Sequence, residues 1–569
     1  MFYQQRLEYD AIVVGSGMSG GWAAKELTEK GLQTLVLERG RPLEHGDYPT
    51  EHVPAWEFPF RERRLNAEQA PEHPIQSGSP GFREATKHFY IKDAKNPYIQ
   101  AKPFQWVQGD QVGGKSLMWG RGCYRMSDLD FTANLIDGHG IDWPIRYKDI
   151  APWYSYVERF VGINGTREGL PQLPDGEFQP PMEMNAGEKW LQARIRELYT
   201  DRVMIHGRFA VLTQPIGDRQ PCHYCGPCER GCSTGSYFSS VSSTLPAARA
   251  TGRLTLRPNS IVHSVIFDEE QGKATGIRFV DTETGDMHEA YARVIFLCAS
   301  TLASTRILLN SRSASHPNGL GGNSGVLGRY LMDNHMRVGA SGRIPGLRDR
   351  YYQGNRPTGQ IIPRFRNVRG PDSDGLGFVR GYHLTVGASR QGWGRGAGLP
   401  QIGSELKQIL RDPGDWTVGL GAQGECLPRE DNYVELAEET DPWGIPVLRI
   451  HATWGENELR MREDMRAQAQ EILERAGCED VSSYDSLPSG AMNAMPGGAI
   501  HEMGTARMGR DPRTSVLNAW NQVWDSPNVF VTDGACMTSC PNQNPSITFM
   551  AITARAANHA VEELKRRNL

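Results

Sequence analysis

Unbroken apolar runs mark the ends of this chain, and alternating, punctuated ones mark its middle. Residues 11–14 and 34–37 are short apolar runs of the kind that make strands buried on both faces, with a helix predicted between them over residues 20–30. Residues 292–297, with R-V-I-F-L inside, predict another buried strand that runs into a helix over 303–310. Residues 254–267 and 275–279 read as strands of a meander, and residues 142–165 as a helical, aromatic segment in which Trp143, Trp153, Tyr154 and Tyr156 pack in a core. From residue 336 to 449 the pattern changes to many short strands cut by Gly and Pro, which predicts a mixed or antiparallel sheet in a second domain. Residues 432–436 and 446–451 are expected to be two of its strands, and the amphipathic helix 456–476 to close it. Residues 529–535 form a last strand, and residues 540–551 open a final helix. Asn544-Pro545 suits an N-cap followed by Pro at the first helical position.

Two segments lack periodicity. Residues 41–96 are rich in Pro, His and charge and predict a surface excursion over the site, with Trp56, Phe58 and Phe60 packing. Residues 171–181 form a loop punctuated by Pro171, Pro174, Pro180 and Pro181.

Length and charge narrow the class. A chain of 569 residues supports two or more domains with real cores, and a net charge of −4 without a basic patch argues against nucleic acid. There is no apolar run of membrane-spanning length. The N-terminus enters the first strand directly, so no signal peptide is read. That favours the cytoplasm, or a periplasmic address reached on a signal-bearing partner subunit. Ten cysteines in a chain this long do not make a disulfide scaffold, but four of them cluster.

The chemistry begins at G-S-G-M-S-G, residues 15–20. Gly15 permits a tight turn, Gly17 lets a diphosphate approach the backbone, and Gly20 lets the following helix pack on the strand and aim its N–H groups at the phosphate. Glu38 ends the second strand 23 residues after Gly15, near the spacing of an acid that grips a ribose diol. Together they predict a dinucleotide site; a Gly-rich turn without ligand is the alternative. Gly113-Gly114, followed by Lys115-Ser116, predicts a second turn at which a flat or charged ligand approaches closely. Cys222, Cys225, Cys228 and Cys232 have the spacing C-x2-C-x2-C-x3-C of an iron–sulfur loop. Ser233 follows where ferredoxin-type runs have proline, and both zinc and a compact metal-free loop stand beside the cluster as alternatives.

These pieces in this order, with H-x-x-G-T at His501 and N-P at Asn544, resemble the glucose–methanol–choline (GMC) oxidoreductases along nearly the whole chain. The resemblance implies an α/β, overall α+β, fold: a discontinuous Rossmann-like FAD-binding domain and a substrate domain on a large, mostly antiparallel sheet flanked by helices. The FAD domain would comprise residues 1–50, 86–145, 222–335 and 495–569; residues 51–85 would be a lid excursion; residues 146–221 and 336–494 would form the substrate domain. It further implies that Gly15, Gly17, Gly20 and Glu38 hold the ADP half of FAD and that Gly113, Gly114 and Ser116 form the flavin-side loop. Val262 would flank the adenine; Asp533 and Gly534 would lie beside the diphosphate and ribityl chain. Pro545 and Ser546 would begin the helix whose positive end faces an anionic reduced flavin. Met118 stands where some relatives carry a histidine bonded to FAD, which implies non-covalent FAD, and Thr305 and Arg312 stand where Pro and Gly are usual.

The implied mechanism has His501 take the hydroxyl proton of a secondary alcohol while Asn544 holds the same oxygen and hydride moves to flavin N5. The cysteine loop looks most like that of bacterial glucoside 3-dehydrogenases and related sugar dehydrogenases. That implies a sugar or glycoside substrate, oxidation at C3 to a 3-keto sugar, and an external acceptor served by a small accessory subunit and a cytochrome. The competing readings are an alcohol or sugar oxidase that makes hydrogen peroxide from O2 and a hydroxynitrile-lyase-type protein in which FAD does no redox. Gln423, Glu425 and Asn432 are the polar candidates of the second domain.

Overall fold

The computed structural model describes residues 7–350 and 354–569. Residues 1–6 and 351–353, assigned above to the FAD-binding and substrate segments, lie outside the described residues. Among the described residues no helix is long and apolar enough to cross a membrane.

A parallel sheet lies at the base. β1 (Leu7–Val14), α1 (Met18–Glu29) and β2 (Thr34–Leu37) form a βαβ unit, and β1 also pairs in parallel with Met287–Leu297, which pairs with Ser526–Val531. The register aligns Val36, Val13, Phe296 and Phe530 in one row, and the last two rings stack with centroids 4.7 Å apart. All four are buried on the face covered by Ala23, Ala24 and Leu27 of α1 and by Ala556, Ala560 and Val561 of the C-terminal helix. The intervening positions Ile12, Val14, Leu35, Leu37, Ile295 and Leu297 are buried on the opposite face. Burial on both faces explains why these strands read as continuous apolar runs.

Residues 254–267 divide differently from expectation. Leu254–Arg257 pairs in parallel with β2 and joins this sheet, and only Ser260–Asp268, Lys273–Asp281 and Met287–Leu297 form the antiparallel meander. Pro258 has no N–H for a ladder and Asn259 adopts φ 53°, so the extended run breaks between them.

The second sheet has six antiparallel strands, with Val338–Ile344, Tyr382–Arg390 and Trp416–Gly424 at its centre. Its inner residues Val338, Ala340, Leu384, Trp416, Val418 and Leu420 pack on Met461, Met465, Ala469, Ile472 and Leu473 of the helix Glu456–Ala476. Each such fully buried Val, Leu, Ile or Met side chain stabilises by roughly 1.5–3 kcal/mol, and together they lock the helix across the sheet. The fold class is therefore the one the sequence implies. Tyr433–Thr440 and Pro446–His451 are strands as expected but do not join this sheet. They form a three-stranded sheet with Ile99–Gln100, and Val434, Leu448 and Ile450 pack on Leu302 of the helix Thr301–Asn310, with Phe104 and Trp106. Trp56 and Phe60, expected to pack, are 77% and 48% exposed, because short 3-10 turns with Phe60 and Arg61 at positive φ turn them outward.

Gly20 is the tightest joint of the base: a Cβ there would collide with the Gly15 carbonyl oxygen. Backbone cannot yield as a side chain tip can. Gly20→Ala is expected to lower unfolding stability by about 1–3 kcal/mol in denaturant titration, whereas an unchanged midpoint would show that α1 can lift off β1.

Candidate active site

The cofactor side is built at the carboxyl ends of the parallel strands. Gly15 turns at φ 93°, and a Cβ on it would stand 2.5 Å from the Cys298 carbonyl oxygen. Gly17 differs: the nearest atom to a Cβ there is the Gly113 carbonyl oxygen at 3.7 Å, so its face is open. Glu38, at the end of β2, is buried, and burial raises its pKa. Its carboxylate accepts from Ser16 N–H (3.0 Å), Ser16 Oγ (2.6 Å) and Gly40 N–H (2.9 Å), holding the glycine turn in place. Ser260 N–H bonds the Glu38 carbonyl at 2.8 Å, which starts the strand that carries the buried Val262 beside it.

The second glycine turn is tied to the first. Gly113, at φ 90°, donates its N–H to Ser16 Oγ (2.9 Å), and Ser116 Oγ meets both the N–H and the hydroxyl of Ser240 at 3.0 Å. Ser240 Oγ returns to the Ser16 carbonyl at 2.9 Å. Ser16 and Ser240 escape a motif search because a serine carries no distinctive spacing. Asp533 follows the strand Ser526–Val531 and accepts from Ala535 N–H (3.0 Å) and Ser304 Oγ (2.5 Å); burial pushes its pKa up to about 6. A Cβ on Gly534 would collide with the Glu502 carbonyl and Thr301 Oγ1. The departure at Thr305 is absorbed: its hydroxyl meets Thr505 Oγ1 at 2.6 Å and ties the helix to the segment after His501. Open space over Gly17, a positive-φ turn and unshared N–H groups at the start of α1 suit a dinucleotide diphosphate, so the residues present fit FAD.

His501 and Asn544 converge from segments 43 residues apart. Asn334 Nδ2 donates to the carbonyls of Gly424 and Pro541, both at 2.8 Å, which turns its Oδ1 toward His501 Nδ1 at 2.9 Å. Nδ1 therefore carries the ring proton, and Nε2 presents a lone pair toward Asn544 Nδ2 at 3.4 Å. Burial, helped by Lys115 and His383, pushes the His501 pKa down to about 3, so the imidazole is neutral at ordinary pH. The residue as a whole is half-buried. Asp333 holds the backbone, accepting from His501 N–H (2.9 Å) and Ala499 N–H (3.2 Å); burial and the Glu502 carboxylate push its pKa up to about 8. Asp333 and Asn334 lie in G-R-Y-L-M-D-N-H, residues 328–335.

The C-terminal helix begins one residue later than expected. It spans Ser546–Arg566 with Pro545 at the N-cap position and no side-chain cap, because the Asn544 amide is turned toward His501. Its first-turn N–H groups are left free of a capping side chain. Of the polar candidates in the second domain, Gln423 donates to the Asn542 carbonyl (2.8 Å) and Glu425 pairs with Arg364 (2.6 Å), both behind the site. Asn432 spends its amide on Thr453.

The four clustered cysteines are free thiols, and among the described residues no group of three or more His, Cys, Asp or Glu stands close enough to hold a metal ion. Cys222, Cys228 and Cys232 nonetheless pack on one apolar patch of Met182, Val211 and Tyr237. Arg121, whose guanidinium stacks on Tyr237 at 3.6 Å, joins this patch to Gly122, where a Cβ would stand 3.0 Å from Asn544 Oδ1. The excursion docks here: Arg230 pairs with Glu62 and donates to the carbonyls of Thr50 and Val53.

Family models described as GMC oxidoreductase match residues 9–336 and 428–553. The chain belongs to the GMC oxidoreductase family and is an FAD-dependent oxidoreductase acting on CH–OH donors. It is 28% identical to 2-methyl-1,2-propanediol dehydrogenase of Mycolicibacterium austroafricanum over 97% of this chain and 94% of that one. It is 24% identical to the fructose dehydrogenase large subunit of Gluconobacter japonicus over 99% of both. The Aspergillus oryzae formate oxidase structure superposes with a TM-score of 0.63 at 13% identity over 99% of both chains, which shows the same fold.

The contrast between Gly17 and Gly20 is testable. Gly17→Ala is expected to leave folding intact and to weaken FAD retention by at least about tenfold, since its Cβ would occupy the space left for the diphosphate. Flavin content and equilibrium FAD titration of the refolded apoprotein measure this, and full flavin content would move the diphosphate away from Gly17.

Proposed function

We propose that this chain oxidises a secondary alcohol of a sugar or glycoside, with His501 as the base and Asn544 holding the reacting oxygen. The observation that carries this is the fixed neutral tautomer of His501, with its Nε2 lone pair beside the Asn544 amide at 3.4 Å. Both groups reach one hydroxyl oxygen, and a proton taken there goes to Nε2. Asn544 keeps that oxygen in place, a positioning effect that needs no charge. Bound FAD, held without a covalent bond since Met118 offers no histidine at that position, supplies the hydride acceptor. A sugar substrate is supported by the whole-length likeness to a fructose dehydrogenase large subunit.

We read the acceptor of the electrons as external, delivered through a small accessory subunit and a cytochrome. Support comes from the cysteine loop within one arginine of the active site and from the exposed Trp56 and Phe60 on the segment that docks against that loop. An iron–sulfur cluster at Cys222, Cys225, Cys228 and Cys232 rests on the spacing alone, and no step of the oxidation is routed through it. The second reading, an oxidase that returns electrons to O2, is supported by the likeness to a C-glycoside 3-oxidase of Arthrobacter globiformis, 28% identical over 98% of this chain and 95% of that one.

His501→Ala is expected to slow anaerobic flavin reduction by about 100-fold or more while the flavin stays bound; unchanged reduction kinetics would remove His501 from the chemistry. A base is active above its pKa and lost as pH falls through it. With His501 pushed down to about 3, flavin reduction should be flat from about pH 5 to 8, and an acid limb centred near 6.5 would contradict the buried, neutral imidazole. Iron in stoichiometric amount with broad visible absorbance is expected for the dehydrogenase. Iron-free, FAD-replete protein that consumes O2 with substrate would establish the oxidase.

A further inference from the structure

Next to the catalytic pair lies a small cavity of about 10 Å³, room for a single hydroxyl-sized group, lined by Tyr124, Gln172, Arg364, His383, Asn542 and Gln543 among others. Asn542 and Gln543 immediately precede Asn544, and His383 is near enough to His501 to act on its protonation. His383 comes from the central strand Tyr382–Arg390 of the six-stranded sheet and is 1% exposed.

Hydrogen bonds around the cavity decide which atoms face it. Arg364 Nη1 binds Glu425, its Nε binds the Arg366 carbonyl and its Nη2 the Asn367 carbonyl, so each guanidinium nitrogen is engaged. Glu425 accepts from Asn542 Nδ2 at 3.2 Å, which turns Asn542 Oδ1 toward His383 Nδ1, also at 3.2 Å. Nδ1 is then the protonated ring nitrogen, and Nε2 carries a lone pair. Burial holds this imidazole neutral, with a pKa pushed down to about 4. Gln543 is ordered the same way: Nε2 donates to Asp130 Oδ2 (3.1 Å) and to the Gln172 carbonyl (3.3 Å), leaving Oε1. Among the described residues lining the cavity, the buried polar atoms without a partner are His383 Nε2 and Gln543 Oε1. Both are acceptors. An unpartnered buried acceptor is costly, and two in one cavity beside a reacting centre call for a ligand that donates.

We propose that His383 Nε2 and Gln543 Oε1 form a specificity site that accepts hydrogen bonds from a second hydroxyl-bearing part of the substrate while His501 and Asn544 hold the reacting hydroxyl. The substrate class is thereby polyols, namely sugars, glycosides and diols, in preference to mono-alcohols. This rests on the alcohol oxidation proposed above. It extends that proposal to a hydroxyl that is read but not oxidised.

The test is anaerobic flavin reduction with hexoses, methyl glucosides and 1,2-diols, each beside its monodeoxy or mono-alcohol analogue. The wild-type chain should prefer a polyol over the analogue lacking the recognised hydroxyl by about 100-fold in kcat/KM. His383→Leu should lose about that factor on the polyol, mainly in KM, and lose little on the analogue, so that the preference collapses. Flavin content and thermal midpoint confirm that the variant is folded; if it is not, Gln543→Met gives the same readout. Equal losses on polyol and analogue in a folded variant, or a wild-type chain that shows no preference, would overturn the specificity site and leave the oxidation standing. A flavin that no alcohol bleaches would overturn the oxidation and this site with it.

Discussion

The close approach of backbone to backbone at Gly15 and Gly20 is the constraint on which the site depends. β1 ends at a turn where the Gly20 position lies against the Gly15 carbonyl and Gly15 lies against Cys298 at the end of the neighbouring strand. Because that joint admits no side chain, α1 starts directly over the carboxyl ends of the parallel strands, and its N–H groups point at the same edge where the segments carrying Ser300 and Asp533 leave the sheet. Ser16 then carries the geometry outward. It is bonded at once by Glu38, Gly113 and Ser240, so two glycine turns almost a hundred residues apart move as one body.

A different constraint orders the chemistry, namely the direction in which buried amides can point. Asn334 and Asn542 each spend their donors on fixed acceptors, two carbonyls in one case and a carboxylate in the other, and each turns its oxygen to the Nδ1 of a histidine. The consequence is the same at both: a neutral ring whose Nε2 accepts. In the proposed oxidation that lone pair takes a proton at His501 and a hydrogen bond at His383. In that proposal two residues of identical type divide the work through what surrounds them, His501 being half-buried and His383 closed in by the sheet.

The parts legible in the sequence were those fixed by local rules. The glycine turn, Glu38, the helix Glu456–Ala476 and the strands Thr34–Leu37 and Pro446–His451 show themselves through spacing, composition or periodicity within a few residues. What was illegible depends on partners far along the chain. Leu254–Arg257 looks like the first strand of a meander until β2 claims it, and residues 433–451 look like members of the large sheet until Ile99–Gln100 and Leu302 draw them to the other side. Trp56 and Phe60 were misplaced because aromatic content predicts burial only where a periodic element presents a face, and short 3-10 turns present none. Asn334, Ser240 and His383 are single polar residues in unremarkable stretches, and their importance lies in hydrogen bonds that span 90 residues or more.

The low pKa values of the histidines carry a cost that shapes how the site can work. An imidazole held neutral by burial accepts a proton at any ordinary pH, but the imidazolium it becomes is disfavoured by the same burial, with Lys115 adding to the penalty at His501. Proton abstraction is then productive only when negative charge arrives nearby in the same step, or when the proton moves on. In the proposed oxidation the N–H groups at the start of the helix Ser546–Arg566, free of a capping side chain, would stabilise such an anion, whereas Asp333, with its pKa pushed up to about 8, accepts from the His501 N–H without adding full negative charge behind the ring. If His501 is the base, as proposed, it is weak in its surroundings and strong only in company with the charge that forms on substrate oxidation, which would tie proton removal to hydride loss.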